Sequence, residues 1–378
     1  MKKSFCLFCA NYLPNLGGIE RYVYNLSKQL IKRGHSVTVV TSNVFDLPNY
    51  EIDENGIEIF RLPCHNFMKG RYPILNKNQE FKLLDKKLSR KHFDLVVINA
   101  RFYIHSVYAA DFANKNGIKC ITIEHGSTHL SVDNKVLDFV VAHVEHFLTV
   151  LLKRKCKEYY AVSNVAGKWS EHFKIKSKGT LYNAIDIETI VSASQKSVCD
   201  YRKEYNVPQE ATVITFTGRL LKIKGVHELL DAFKQINRVD LYLFYAGDGP
   251  ELEELSAKAN ERVIFLGKID FDHVISLLDA SDIYCLPSVS EGMPTSVLEA
   301  ISTKTFVITT YNGGAREIIT DDELGIITMG NSVNETKQAI EKALDENYRK
   351  AACKKAYERL LNDFTWKNTA EKLEDIIE

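Results

Sequence analysis

Short apolar runs recur along this chain, and most are followed by a stretch with helical spacing. Residues 4–10, 36–41, 57–61, 95–99, 120–124 and 159–162 read as strands. Residues 22–33 repeat apolar side chains at helical intervals and stop at Gly34, a fitting terminator. A second series, 213–217, 241–246, 263–266, 283–286 and 305–310, is separated by helical segments over 226–235, 250–259, 273–280, 294–302 and 315–320. Regular alternation of this kind predicts an α/β chain of two Rossmann-like, doubly wound domains, with a boundary near residues 183–186. The 378 residues are enough for two separate cores.

Charge divides the two halves. Basic and acidic side chains number 49 each, yet residues 1–180 hold 27 basic against 16 acidic, leaving 22 against 33. The first half is therefore expected to meet an anionic surface. Its cations gather over 61–92, where nine Lys/Arg face two Asp/Glu, and at Lys153, Arg154, Lys155 and Lys157. No nucleic-acid module is recognisable, so no nucleic-acid partner is expected. The chain opens into a strand rather than the long apolar segment of a secretory signal. Residues 136–152 are apolar but contain Asp138, His143, Glu145 and His146, too polar to span a bilayer. Cys6 and Cys9 fall inside the first strand, on opposite faces, and are expected as buried thiols. A cytoplasmic, reduced protein is the expectation.

The segment 288–300 carries the sharpest chemical signal. Glu291 and Glu299 stand with seven residues between them, after the apolar run 282–287. Pro294 suits the first turn of a helix, where its missing N–H costs nothing. Glu291 then sits in a loop at a strand's carboxyl end and Glu299 about 7.5 Å along the helix axis from Pro294. Free N–H groups at the helix start favour an anion between the two acids. A ligand with hydroxyls at both ends and phosphates between them fits: a nucleotide-sugar. Arg219 and Lys224 follow the first strand of the second series, where a guanidinium fork and an ammonium can hold phosphate oxygens. Gly17 and Gly18 link the first strand to the first helix and permit close backbone approach to a ligand. They do not complete the dinucleotide fingerprint, and no acidic residue clearly ends the second strand, which disfavours a dehydrogenase. His125 ends a strand and is the best-placed histidine for acid–base work or for holding a sugar; Glu124 beside it is a weaker candidate.

At these positions the chain resembles the retaining GT-B glycosyltransferases that share a Glu-x7-Glu signature, known as glycosyltransferase family 4 or glycosyl transferases group 1. The motifs are Gly17-Gly18-Ile19-Glu20-Arg21-Tyr22, Gly218-Arg219 with Lys224-Gly225, Ala246-Gly247-Asp248-Gly249, and 288–300. The resemblance implies an acceptor-side domain over 1–185, a donor-binding domain over 186–357, and a final helix over 358–378 that crosses back onto the first. It implies that Glu299 holds the ribose and Glu291 the transferred sugar. Gly17, Gly18, Gly247, Leu266, Gly292, Met293, Pro294 and Thr295 would line the donor, and Arg219 and Lys224 would stabilise the leaving diphosphate. The donor would be an NDP-sugar, UDP before GDP, delivering a hexose or N-acetylhexosamine. No cofactor and no metal are implied: Asp270 and Asp272 precede a helical run and are expected to cap it. A lipid-linked sugar acceptor, such as a polyprenyl diphosphate in surface-polysaccharide synthesis, would suit the basic first half. A noncatalytic partner of another transferase and an NDP-sugar epimerase are the alternatives. Ala184 stands where such proteins commonly have glycine.

Overall fold

The computed structural model describes residues 2–15, 17–129, 135–289, 291, 293–311 and 313–377, without the side chains of residues 69, 135 and 136. The chain forms two compact units, Met1–Asn183 with Trp366–Glu378, and Ala184–Thr365.

The first unit is built on strands β1 (Ser4–Phe8), β2 (Ser36–Ser42), β3 (Tyr50–Ile52), β4 (Glu58–Leu62), β5 (Cys64–Phe67), β6 (Tyr72–Leu75), β7 (Leu95–Asn99), β8 (Cys120–Glu124) and β9 (Glu158–Ala161). Among the described residues, seven of them join in the order β3-β4-β2-β1-β7-β8-β9, and β5 pairs with β6 as a separate hairpin. All neighbours in the large sheet are parallel except β3 on β4. The central strands β1 and β7 read as unbroken apolar runs because helices cover both their faces; Phe5, Leu7, Val96 and Ile98 are fully buried. Helix Gly18–Lys32 turns Tyr22, Val23, Leu26 and Leu30 inward at helical spacing. Cys6 in β1 and Cys9, which lies just past the strand's end rather than inside it, are both buried free thiols.

The second unit adds β10 (Thr212–Thr217), β11 (Leu241–Ala246), β12 (Val263–Gly267), β13 (Ile283–Leu286), β14 (Phe306–Thr310) and β15 (Ile326–Thr328). Their order is β12-β11-β10-β13-β14-β15, and every neighbouring pair is parallel. In each unit the chain winds outward from a central strand, returns, and winds the other way. The reversal falls between β1 and β7 in the first and between β10 and β13 in the second. At such switch points the connecting loops part and leave a crevice at the strands' carboxyl ends. Asp270 caps helix Phe271–Asp279 by accepting the His273 N–H, as expected, whereas Asp272 lies inside the first helical turn and does not cap it but pairs with Lys196.

The chain returns to the first unit at Trp366, later than the residue 358 read from sequence. Leu360 and Phe364 hold the intervening helix end in the second unit, where both are buried and the Phe364 carbonyl accepts the Ile185 N–H. Helix Trp366–Asp375 then packs against Gly18–Lys32. The Trp366 ring meets Tyr22 edge-on at 5.2 Å, and Arg33 binds Glu374 at 2.5 Å and Glu371 at 2.9 Å. Trp366→Ala should remove about 3–5 kcal/mol from the first unit, the usual cost of emptying a buried aromatic site. A fall in the urea midpoint reported by first-unit probes checks this; an unchanged midpoint would mean that the returning helix contributes nothing to that core.

Candidate active site

In the second unit three loops meet beside the switch point. The turn after β10 carries Gly218, Arg219 and the short helical turn Lys222–Lys224; the loop after β13 carries Glu291; the loop after β14 carries Gly313 and Gly314. Val289 N–H and the Ser288 hydroxyl both donate to the Ile223 carbonyl, at 2.8 and 3.1 Å. The Glu291 carbonyl accepts the Gly314 N–H at 3.2 Å. Two glycines make this approach possible. A Cβ on Gly225, at φ +72°, would lie 2.0 Å from the Pro287 carbonyl oxygen, and one on Gly313, at φ +73°, 1.8 Å from that of Glu291.

With the loops so fixed, Lys224 Nζ and Glu291 Oε1 stand 2.5 Å apart, the side chains 26% and 13% exposed. The sequence places these groups on one ligand; the fold additionally pairs them with each other. Arg219 is exposed and makes no ion pair among the described residues. Pro294 precedes helix Thr295–Ser302 rather than opening it, and among the described residues no side chain caps that helix. Helices Ile187–Lys196, Phe271–Asp279 and Val333–Ala343 of the same unit are each capped by an Asp or Ser. Among the described residues the Val297 N–H bonds only the Pro294 carbonyl, at 3.2 Å, and the start of Thr295–Ser302 offers its partial positive charge to an acceptor. Met293 and Pro294 are buried, Thr295 and Glu299 half-buried. Gly292 lies outside the described residues.

Beneath the two acids lies Tyr284 of β13, which the sequence reading did not single out. It is fully buried, and its hydroxyl donates to the Thr217 carbonyl at 3.4 Å. Burial raises its pKa, with the charges of Glu299 and Glu291 adding to the effect. Within a strand of apolar neighbours a single tyrosine gives no signal of this position. Gly247 follows β11 next to the Arg219 turn, where Gly218 N–H donates to the Ala246 carbonyl and Leu220 N–H to that of Asp248. Leu266 sits apart on the edge strand β12, packed beside the cluster of Tyr201 and Phe244.

The first unit places its candidates along the carboxyl edge of its own sheet. His125 Nε2 meets Asn99 Oδ1 at 3.0 Å, and the Asn99 amide nitrogen donates to the Phe8 carbonyl. That carbonyl fixes the amide's orientation, so His125 donates from Nε2 and keeps a lone pair on Nδ1. Burial pushes its pKa down to about 3. At neutral pH the ring is therefore uncharged: an acceptor or base rather than an acid. Glu124 is ion-paired with Arg101 at 2.6 Å through Oε2 and accepts the His125 and Gly126 N–H groups on Oε1. Gly17 and Gly18 open helix Gly18–Lys32, and the chain's own Glu20 folds back there to accept from Asn15 at 3.0 Å. Burial raises the Glu20 carboxyl while the Gly17 N–H draws it down. An anion approaching this helix start meets a carboxyl already in place.

Comparison with known proteins agrees with this architecture. Residues 16–189 match the family model described as Glycosyltransferase Family 4, and residues 198–359 match Glycosyl transferases group 1. The chain is 26% identical over 392 residues to an uncharacterized glycosyltransferase of Methanocaldococcus jannaschii, spanning 100% of this chain and 98% of that protein. It is 24% identical over 387 residues to the GPI3 subunit of phosphatidylinositol N-acetylglucosaminyltransferase from Saccharomyces cerevisiae, covering 99% and 82%. With N-acetyl-alpha-D-glucosaminyl L-malate synthase of Bacillus anthracis it shares 25% over 386 residues, covering 96% and 94%. A glycosyltransferase structure from Rickettsia africae superposes with a TM-score of 0.76 at 21% identity, covering 100% and 98%. HepE of Anabaena in complex with UDP also gives 0.76, at 18% identity, covering 99% of each chain. The chain is a GT-B glycosyltransferase. It carries a Glycosyltransferase Family 4 domain followed by a group 1 domain.

His125 also makes a prediction about pH. Its folded pKa lies below the unfolded value near 6.5, so the unfolded chain binds a proton that the folded chain refuses. The stability it contributes is complete above about pH 6.5 and is lost as pH falls toward 3. His105, buried without a hydrogen-bond partner among the described residues and also lowered to about 3, acts in the same sense. His125→Gln keeps a donor for Asn99 but cannot titrate. Unfolding free energy measured in pH steps should fall less steeply below pH 6.5, by roughly one proton in the linkage slope. A slope equal to wild type would mean that His125 is protonated in the folded state.

Proposed function

We propose that this protein is a retaining transferase that moves an N-acetylhexosamine or hexose from a UDP-sugar to a lipid-linked acceptor at an anionic membrane face. The observation that carries the reading is the convergence at one switch point of Lys224, Glu291, Arg219 and a helix start, the last two without an ion pair or a capping side chain among the described residues. Glu299 holds the ribose hydroxyls and Glu291 those of the sugar. The donor's arrival loosens the Lys224–Glu291 pair, turning Glu291 to the sugar and Lys224 to the diphosphate. Arg219, Lys224 and the helix N–H groups then stabilise the charge that grows on the leaving diphosphate, the kind of stabilisation usually worth most in catalysis. Attack comes from the leaving-group face, with a phosphate oxygen taking the acceptor's proton, so the anomeric configuration is retained. These side chains supply the neutralisation that a metal provides elsewhere. Neutral His125 offers its Nδ1 lone pair to a hydroxyl. The preference for an N-acetylhexosamine follows the names of the yeast and Bacillus relatives, and the preference for UDP is supported by the nucleotide in the HepE structure.

Glu299→Ala should weaken UDP-sugar binding by roughly 1.5–3 kcal/mol, the value of a hydrogen bond to a charged group. Calorimetry with UDP-N-acetylglucosamine checks it, and unchanged affinity in a folded variant would end the ribose assignment.

The membrane side of the reading rests on helix Lys135–Lys155. Phe139 and Phe147 are 67% and 63% exposed, beside exposed Leu137, Val140, Val144 and Val150. Among the described residues no helix is long and apolar enough to cross a bilayer, so this face suits lying in the interface. Arg154 and Lys157 follow at its end. The cations over 86–91 are less available than the sequence suggests, because Lys91 pairs with Glu58 at 2.7 Å and Lys87 sits over the Tyr50 ring. Phe139→Asp with Phe147→Asp should cut co-sedimentation with vesicles containing anionic lipid at least tenfold and leave donor binding unchanged. Equal sedimentation of wild type and variant would remove the membrane from the proposal.

A further inference from the structure

Three histidines from separate segments of the first unit converge on one point. His129 lies in the loop after β8, His146 on helix Lys135–Lys155, and His172 in the short turn Glu171–Phe173. One ring nitrogen of each lies within 4.8 Å of the others. His146 Nε2 and His172 Nε2 face each other at 3.2 Å. Two nitrogens at about 2.0–2.1 Å from a tetrahedral ion stand roughly 3.3 Å apart, so this pair is already spaced as ligands.

We propose that His129, His146 and His172 form a binding site for a divalent transition metal, of which zinc fits the imidazole set best. His129 carries the mark of an oriented ligand. Its Nδ1 is held by Glu145 Oε2 at 2.7 Å, which leaves Nε2 as the nitrogen with a lone pair to give. Glu145 is itself buried and fixed by Arg101 at 2.6 Å, the same guanidinium that binds Glu124 beside His125. The other two rings are also braced: Trp169 stacks on His172 at 4.9 Å and nearly parallel, and Phe173 lies 4.7 Å from His146. His146 and His172 are exposed, so an ion enters from solvent and keeps a fourth position for water. Bound there, the ion ties the loop that carries His125 to the helix with the apolar face and to the 171–173 turn. It is a fastening, separate from the groups assigned to the donor diphosphate.

The test uses the full chain without a histidine tag, stripped with chelator and titrated with zinc chloride by calorimetry, and with cobalt(II) for its tetrahedral visible bands. Wild type should take up one equivalent, and at zinc a hundredfold above Kd its Tm should rise by about 5–10 °C. His146→Ala and His172→Ala, both surface changes, should each weaken binding at least tenfold, and together abolish it. His143→Ala, on the same helix but outside the cluster, should bind as wild type does. No uptake by wild type, or equal uptake by the double variant, overturns the site. Uptake that survives in the double variant and disappears with His227→Ala would assign the metal to the His227–Glu251–Glu254 cluster and overturn it equally.

Discussion

The Glu291 carbonyl occupies the space where a side chain on Gly313 would begin, and the Pro287 carbonyl does the same to Gly225. Everything at the second unit's switch point depends on these backbone contacts. They bring loops from three strands close enough for Ser288 and Val289 to donate to the Ile223 carbonyl and Gly314 to that of Glu291, and they set the Lys224–Glu291 distance. A parallel sheet alone does not achieve this, because loops at a switch point diverge. The glycines let them close again over the uncapped helix start.

The first unit solves a different problem. Arg101 is only 1% exposed, and a lone guanidinium there would be very costly. It is met by Glu124 and Glu145, with the Phe173 ring 3.5 Å from the guanidinium carbon. Each carboxylate passes the constraint onward, Glu124 to the backbone of His125 and Gly126 and Glu145 to His129. A single buried cation thus orders the whole strand-end loop from residue 124 to 129. His125 is held neutral within that loop, while His129 is presented to two other histidines.

Much of the fold was legible in the sequence. Residues 95–99, 120–124, 241–246 and 283–286 form strands with the boundaries their composition predicts. Strands covered on both faces are continuous apolar runs, and such runs end sharply at polar loops. The elements missed carry weaker local signals. β15 has three residues, and β5 presents His65, Asn66 and Phe67 to solvent instead of alternating. Helix Lys135–Lys155 has apolar side chains all round it, so periodicity does not tell its inner face from its outer one. The end of the second unit was misjudged because Leu360 and Phe364 look the same whichever core they enter.

The sequence by itself determined the α/β class, the loop and helix that carry Glu291 and Glu299, and the basic turn that carries Arg219 and Lys224. These follow from local periodicity and from spacings of a few residues, which the chain states directly. Only the tertiary structure decided that Lys224 meets Glu291 across 67 positions and that Tyr284 lies beneath the acids. The same holds for Arg101 reaching Glu145 and for the three histidines, drawn from a loop, a helix and a turn. Such meetings depend on which strands become neighbours, and strand order is set by packing the whole sheet rather than by any segment's own pattern.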